Sequence, residues 1–252
     1  AAAQALVDSM GQRRQAIDGM SGEPQELIPQ IREQYADGAP EQGQLDQVQA
    51  LAGELASMGV THNPHTKHTV QSLQHDVADF DRHVKAHIAN LEEEQALKNE
   101  FNEAHDRLKK WIESTLPSLK DREFDNTLDG ARAKKDEFNA YKNSERPEWS
   151  DAKGRLENLF SSIQSFLQGA HRPAFDEAPM NELRQLWQEL ETEEAGRERA
   201  VNDELDRQEK IETLVRRFET TAKQLTQFLA DSDDSAKTSR DVGSLRAARA
   251  AV

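Results

Sequence analysis

Between Thr66 and Leu116 the chain contains neither glycine nor proline, and its apolar residues fall mostly three and four apart. Val70, Leu73, Val77, Phe80, Val84 and Leu91 form one stripe, the spacing of residues that share a helix face. A second stripe runs Leu97, Phe101, Ala104, Leu108, Trp111 and Thr115. The polar stretch Glu92–Gln95 separates them with a shift of phase, so the pattern predicts one helix that turns different faces toward two cores. At ~1.5 Å per residue, roughly fifty residues reach about 75 Å, too long for the helix of one globular domain. The arrangement recurs downstream. Met180, Leu183, Trp187 and Leu190 form a stripe, the charged segment Glu191–Arg199 follows, and Ile211, Val215, Phe218, Ala222, Leu225 and Leu229 form another, predicted to end near Ala230.

The two halves also align outside these stripes. Gly43, Leu45, Val48, Ala52 and Leu55 correspond to Gly154, Leu156, Leu159, Ile163 and Phe166; His62-Asn63-Pro64 corresponds to His171-Arg172-Pro173. The offset stays near 110 residues, the signature of a tandem repeat. Each period carries a proline in its middle helical region, Pro40 and Pro147, where a break is expected. Three antiparallel helices per period could bury a heptad seam that none buries alone. The stretch "QGAHRPAFDE", Gln168 to Glu177, then becomes a bundle corner. Pro173 cannot continue the preceding helix, Phe175 is expected to staple onto the next helix start, and Asp176 or Glu177 lies at that helix's positive end.

Lys110-Trp-Ile-Glu-Ser-Thr-Leu-Pro-Ser-Leu119, Lys153–Gln164, Arg172-Pro-Ala-Phe175 and the Trp187–Leu190 pair resemble the first rod repeat of α-actinins, within the spectrin-repeat superfamily. Trp111 and Trp187 stand where that family places tryptophans in its first and third helices; Val77 occupies the corresponding place in the first period. The resemblance implies an all-α fold: tandem three-helix, left-handed coiled-coil bundles joined by continuous linker helices into an elongated rod. The expected domains are residues 1–95, a spectrin-like repeat with its first helix short or missing; 96–205, an α-actinin-like repeat; and 206–252, the start of a further helix or repeat. Ser244–Val252 reads as the beginning of another helix. Trp111, Trp187, Leu108, Leu190, Phe80, Val77 and Phe175 are the expected structural core, while the residues of a dimer interface are left unassigned.

Composition narrows the partners. A net charge of −15, from 47 acidic and 32 basic residues, opposes binding to nucleic acid or to an anionic membrane surface. No apolar run approaches the ~20 residues of a membrane span. The absence of cysteine removes disulfide and thiolate chemistry and is compatible with a reducing compartment. His62, His65, His68 and His75 cluster, and His83 and His87 share a helix face at a spacing able to hold a metal, yet no acidic partner motif accompanies them. They read as structural or solvent-exposed side chains. Asp231–Val242 begins like a calcium loop but has Ala236 where the loop needs glycine and Val242 where it needs the bidentate glutamate. No catalytic, cofactor or metal site is expected, and no enzyme activity. The acidic runs Glu92–Glu94, Glu191–Glu194 and Glu198–Asp206 read as solvated helix faces.

The resemblance implies a cytoplasmic, cytoskeletal rod that pairs antiparallel with a second copy and spaces actin-binding ends lying outside this chain. Other cytoskeletal or signalling partners are compatible with it. The alternative is a monomeric spectrin- or plakin-like scaffold that docks other proteins.

Overall fold

The computed structural model describes residues 1–35, 39–60, 65–238 and 249–250. Seven helices follow in order among them: α1 (Ala2–Asp18), α2 (Pro24–Tyr35), α3 (Ala39–Ser57), α4 (Val70–Lys120), α5 (Leu128–Asn143), α6 (Glu145–Gly169) and α7 (Ala178–Thr238). No strand occurs among the described residues, so the protein is all-α. The chain forms two compact units. One comprises residues 1–107 and 152–180, the other residues 108–151 and 181–252. Helices α4, α6 and α7 each contribute to both.

In the first unit, Leu6, Met10 and Ile17 of α1 pack with Leu27, Ile28, Ile31 and Tyr35 of α2, Leu45 of α3, and Leu73, Val77, Phe80, Val84 and Leu91 of α4. Helix α1 is 17 residues long. Arg13 of α1 reaches the backbone oxygen of Gln34 at 2.7 Å, pairs with the buried Glu41 of α3 and lies 4.8 Å over the Tyr35 ring. The same unit holds Phe101, Leu156, Phe160, Ile163, Leu167 and Met180 as buried side chains.

The second unit buries Leu108, Ile112, Leu116 and Leu119 of α4, Ala131 and Phe138 of α5, and Leu183, Trp187, Leu190 and Val201 of α7. Its middle helix is interrupted at Ser144, three residues before Pro147. Pro147 therefore sits in the first turn of α6, where its missing N–H costs no helical hydrogen bond. Thr127 caps α5, its hydroxyl accepting from the Gly130 N–H at 3.0 Å. Pro40 stands in the first turn of α3, and residues 36–38 before it lie outside the described residues.

The expected shift of phase in α4 and the expected end of α7 do not hold. Along α4 the buried positions are Leu73, Val77, Phe80, Val84, Leu91, Glu94, Phe101, His105, Leu108, Ile112, Leu116 and Leu119, with half-buried His87 and Lys98 at the intervening steps. These stay three and four apart throughout, so there is no slip at Glu92–Gln95. Apolar residues alone made the pattern look broken, because charged side chains occupy the seam there. Helix α7 repeats the device. Met180, Leu183, Trp187, Leu190, Arg197, Val201 and Gln208 are buried, with half-buried Glu194 and Glu204 between them. That helix also runs past Ala230 to Thr238, so the first residues of the acidic stretch at Asp231 are helical. The rest of that stretch and most of Ser244–Val252 lie outside the described residues.

Candidate functional site

The charged residues in the α4 seam converge with two loops. At the end of α6, His171 adopts a left-handed conformation with φ 55°. Its N–H donates to the Gln168 carbonyl at 3.2 Å, and the Arg172 N–H donates to the Leu167 carbonyl at 2.8 Å. These two bonds make a Schellman terminus, and Pro173 prevents any further turn. The side chain of Gln164 then holds the loop from within α6. It donates to the Phe175 carbonyl at 2.7 Å and accepts from the Phe175 N–H at 3.2 Å. Asp176 accepts from the Ala178 N–H at 2.9 Å, beside the start of α7. Half-buried, the Phe175 ring meets Phe101 edge-on at 5.1 Å and Phe160 at 5.9 Å.

This corner aims Arg172 at Glu94, which is only 3% exposed. The guanidinium spans the carboxylate, Nε to Oε2 at 2.9 Å and Nη2 to Oε1 at 3.2 Å, and donates to the Gly22 carbonyl at 2.7 Å. Lys98, one turn along α4, pairs with Glu94 at 2.9 Å and with Glu23 at 2.8 Å. Burial would push the Glu94 carboxyl up, but hydrogen bonds from Arg172 and Lys98 outweigh it and hold Glu94 below the usual glutamate range. Burial likewise opposes the charge on Lys98, and its bonds to Glu23 and Glu94 reverse that and raise it. A cleft of about 650 Å³ opens beside the cluster, between the Gly22–Glu26 segment, Glu94–Asn102 of α4 and the Arg172–Asp176 loop. One loop before α2, one turn of α4 and one loop before α7 are thus tied at a single buried carboxylate.

The second unit carries a parallel tie. Arg197 in the α7 seam donates to the Asp121 carbonyl and lies 5.5 Å over the Phe124 ring. Trp111 stacks on Trp149 at 5.0 Å and lies 6.3 Å from Trp187. Arg146 covers Trp187 at 4.3 Å and bonds to Glu194 at 2.6 Å, while the Trp187 indole donates to Glu191 at 2.8 Å. Tyr141 donates to Glu194 at 2.5 Å; burial and that carboxylate push its hydroxyl well above the usual tyrosine range.

The expected core residues fall unevenly. Trp187, Leu108, Leu190, Phe80 and Val77 are buried; Trp111 and Phe175 are half-buried. In α6 the fully buried face is Leu156, Phe160, Ile163 and Leu167, with Leu159 and Phe166 at its edge. Trp149 escaped the sequence reading because it stands in the first turns of α6, two residues after Pro147 and outside any stripe. Two of the residues in the acidic runs are paired: Glu193 with Arg122 at 3.1 Å and Glu198 with Lys142 at 2.9 Å. Glu182 and Glu189, outside those runs on α7, reach Lys109 and Lys120 at 2.5 and 2.6 Å. Such exposed pairs contribute ~0.2–1 kcal/mol each, which makes them aids to alignment and not the source of stability.

Among the histidines, His83 bonds to Asp18 at 2.8 Å and receives Arg14 at 3.1 Å. His87 is held below its ordinary value, first by burial and then by His83 and Arg172, against the opposing pull of Asp18. His62 lies outside the described residues. No group of side chains able to hold a metal occurs among the described residues. No described helix is long and apolar enough to cross a membrane.

Comparison with known proteins places this geometry. Residues 96–203 match the family model of the spectrin repeat. The chain is 34% identical over 128 residues to a spectrin β chain of Drosophila melanogaster, covering 50% of this chain and 6% of that one. It is 31% identical over 134 residues to an α-actinin of Dermatophagoides farinae, covering 52% and 15%. The human non-erythrocytic spectrin β chain 4 matches at 36% over 122 residues, 47% and 5%. The matched stretch therefore spans only a small part of the length of these relatives. Spectrins and α-actinins are structural, cytoskeletal families. Over residues 96–203 the chain is thus similar to the spectrin repeat, and about half of it is similar to spectrin β chains and α-actinins.

Proposed function

We propose that this chain is a non-enzymatic spacer within a cytoplasmic cytoskeletal cross-linker, one that pairs antiparallel with a second copy and sets the distance between actin-binding ends located outside it. Residues 1–95, 96–205 and 206–252 are then successive repeat-like segments of one array. The observation that carries the spacer role is the unbroken α4 seam, which passes through Glu94 and Lys98 and is clamped there by Arg172. A helix without glycine or an internal proline at that point, tied on its flanks, resists bending and twisting.

The test is a distance distribution between spin labels. The chain has no cysteine, so Glu33→Cys and Gln188→Cys introduce the only attachment points, both exposed. A narrow distribution that broadens several-fold when Gly-Gly-Ser-Gly is inserted after Gln95 is the expected outcome. An equally broad distribution with and without the insertion would remove the spacer reading. The competing reading, a monomeric scaffold, requires a single-chain mass by light scattering at every concentration.

A further inference from the structure

Three carboxamides share one face of α4 beside the Glu94 clamp: Gln95, Asn99 and Asn102, at intervals of four and three. With Gln25 of α2 they line the cleft of about 650 Å³, a volume within the ~300–1,000 Å³ range of ligand-binding clefts. None of the four makes a side-chain hydrogen bond within the chain among the described residues. A carboxamide offers both an acceptor and donors, the set that the N–H and C=O of a peptide unit require. Gln95 and Asn99 are ~6 Å apart along the helix axis. Residues i and i+2 of an extended chain, which present their peptide groups to the same side, are ~6.6 Å apart. The row therefore matches an extended main chain lying along α4.

The remaining walls select the side chains of such a segment. Phe175 lines the cleft half-buried, with Lys98 Nζ 5.9 Å over its ring, and offers an apolar contact. The two cations of the cleft are already neutralised, Arg172 by Glu94 and Lys98 by Glu94 and Glu23. Two carboxylates are not. Glu26 and Asp176 also line the cleft, both exposed, and neither has an ion-pair partner among the described residues. The compact unit around them carries 21 acidic residues against 11 basic ones, so ten of the fifteen net negative charges of the chain lie in it. Such a field draws in cationic segments and repels acidic ones. We propose that this cleft is a docking site for an extended basic segment of another protein. Its main chain lies on the Gln95, Asn99 and Asn102 row, an apolar side chain meets Phe175, and a lysine or arginine pairs with Glu26 and Asp176.

The walls are set before a partner arrives. Arg172 bonds to the Gly22 carbonyl and to Glu94, which holds the loop before α2 and the loop before α7 against α4. A preformed cleft spares the ordering cost that a mobile one would add to binding. The site requires no second copy of this chain.

The experiment probes the full chain with an array of eight-residue peptides in which arginine, lysine, leucine, phenylalanine, serine and glutamate are permuted at the six central positions. The strongest binder, labelled with fluorescein, is then titrated by anisotropy against the native chain and three variants. The expected binders contain arginine or lysine beside leucine or phenylalanine and lack glutamate. Asn99→Ala and Glu26→Lys should each weaken binding by about fivefold or more, the loss of one hydrogen bond or one charge pair. Glu54→Lys makes the same change of charge at an exposed position of α3 outside the cleft, and should alter binding by less than about twofold. All three positions are exposed, and alanine is a stronger helix former than asparagine, so helicity and the urea midpoint should stay native. An array with no binder above the all-serine peptide overturns the site. Equal losses in Glu26→Lys and Glu54→Lys reduce the binding to general attraction by an acidic surface and overturn it as well. Undiminished binding by Asn99→Ala overturns the carboxamide row as the main-chain contact. A preference for glutamate peptides overturns the basic occupant.

Discussion

Trp111 and Trp187 lie 6.3 Å apart in one unit but differ in their polar obligations. The Trp187 indole N–H donates to Glu191, and its ring carries the Arg146 guanidinium. The Trp111 N–H is buried without an acceptor among the described residues. An unmade hydrogen bond in a buried site costs about 1–3 kcal/mol, so Trp111 stabilises through ring contacts alone and against a polar penalty. Trp111→Phe is accordingly expected to be near neutral, whereas Trp187→Phe should cost ~1–2 kcal/mol through the lost bond to Glu191 and the weakened cation contact. Urea denaturation of the two variants checks the order, and an equal loss in both would show that the polar contacts carry no weight. Sequence reading reached these two positions because tryptophans on helical stripes need little else to be recognised. It could not see Trp149 stacking on Trp111, since that contact depends on the restart of the middle helix at Glu145.

Helix α4 shows how an element can be legible in extent and misread in phase. Its length follows from the absence of glycine and proline between Thr66 and Leu116, and its start at Val70 and end at Lys120 lie near those limits. Its register through Glu92–Asn99 was hidden, because a carboxylate at a seam position looks like a break until its partner is known. That partner, Arg172, is remote in sequence and is presented by a helix terminus that uses His171 where glycine is usual. Removing one member of a buried ion pair leaves a charge uncompensated and costs about 3–5 kcal/mol, while an apolar replacement of both can be neutral. Arg172→Ala should therefore destabilise the first unit by ~3 kcal/mol. Adding Glu94→Leu, which completes the apolar seam, should recover much of that loss. A double variant weaker than Arg172→Ala would refute the seam assignment of Glu94.

The same element has a pH signature. His87 binds protons less readily in the folded chain than at its ordinary value of 6.5, mainly through burial. Its contribution to stability is present above that value and is lost as pH falls through the lowered one, because the unfolded chain then takes up a proton that the folded chain resists. Glu94 follows at lower pH: its contribution stands above about pH 4.5 and disappears as the carboxyl is protonated. The melting temperature is expected to drop between about pH 7.5 and pH 5.5, and to drop less in His87→Gln. An identical drop in the variant would assign the effect to the other histidines.

At the scale of the whole molecule, each compact unit is assembled from two separated stretches of chain, and three helices supply both units. Unfolding either unit therefore withdraws segments from helices that the other requires. All three tryptophans, 111, 149 and 187, belong to the second unit, so indole fluorescence reports on it alone while circular dichroism reports on both. Fluorescence and dichroism transitions in urea are expected to coincide, and Arg172→Ala, made in the first unit, should shift the fluorescence midpoint too. Separate midpoints would show that the units unfold independently. The match to the spectrin-repeat model, residues 96–203, follows a period of sequence, whereas the compact units end at residues 107, 151 and 180. Copying or excising one such period by recombination would therefore move parts of two folding units at once. Segments exchanged among chains of this kind carry a debt to their neighbours, and a graft succeeds only where the flanking stretches offer the same seam.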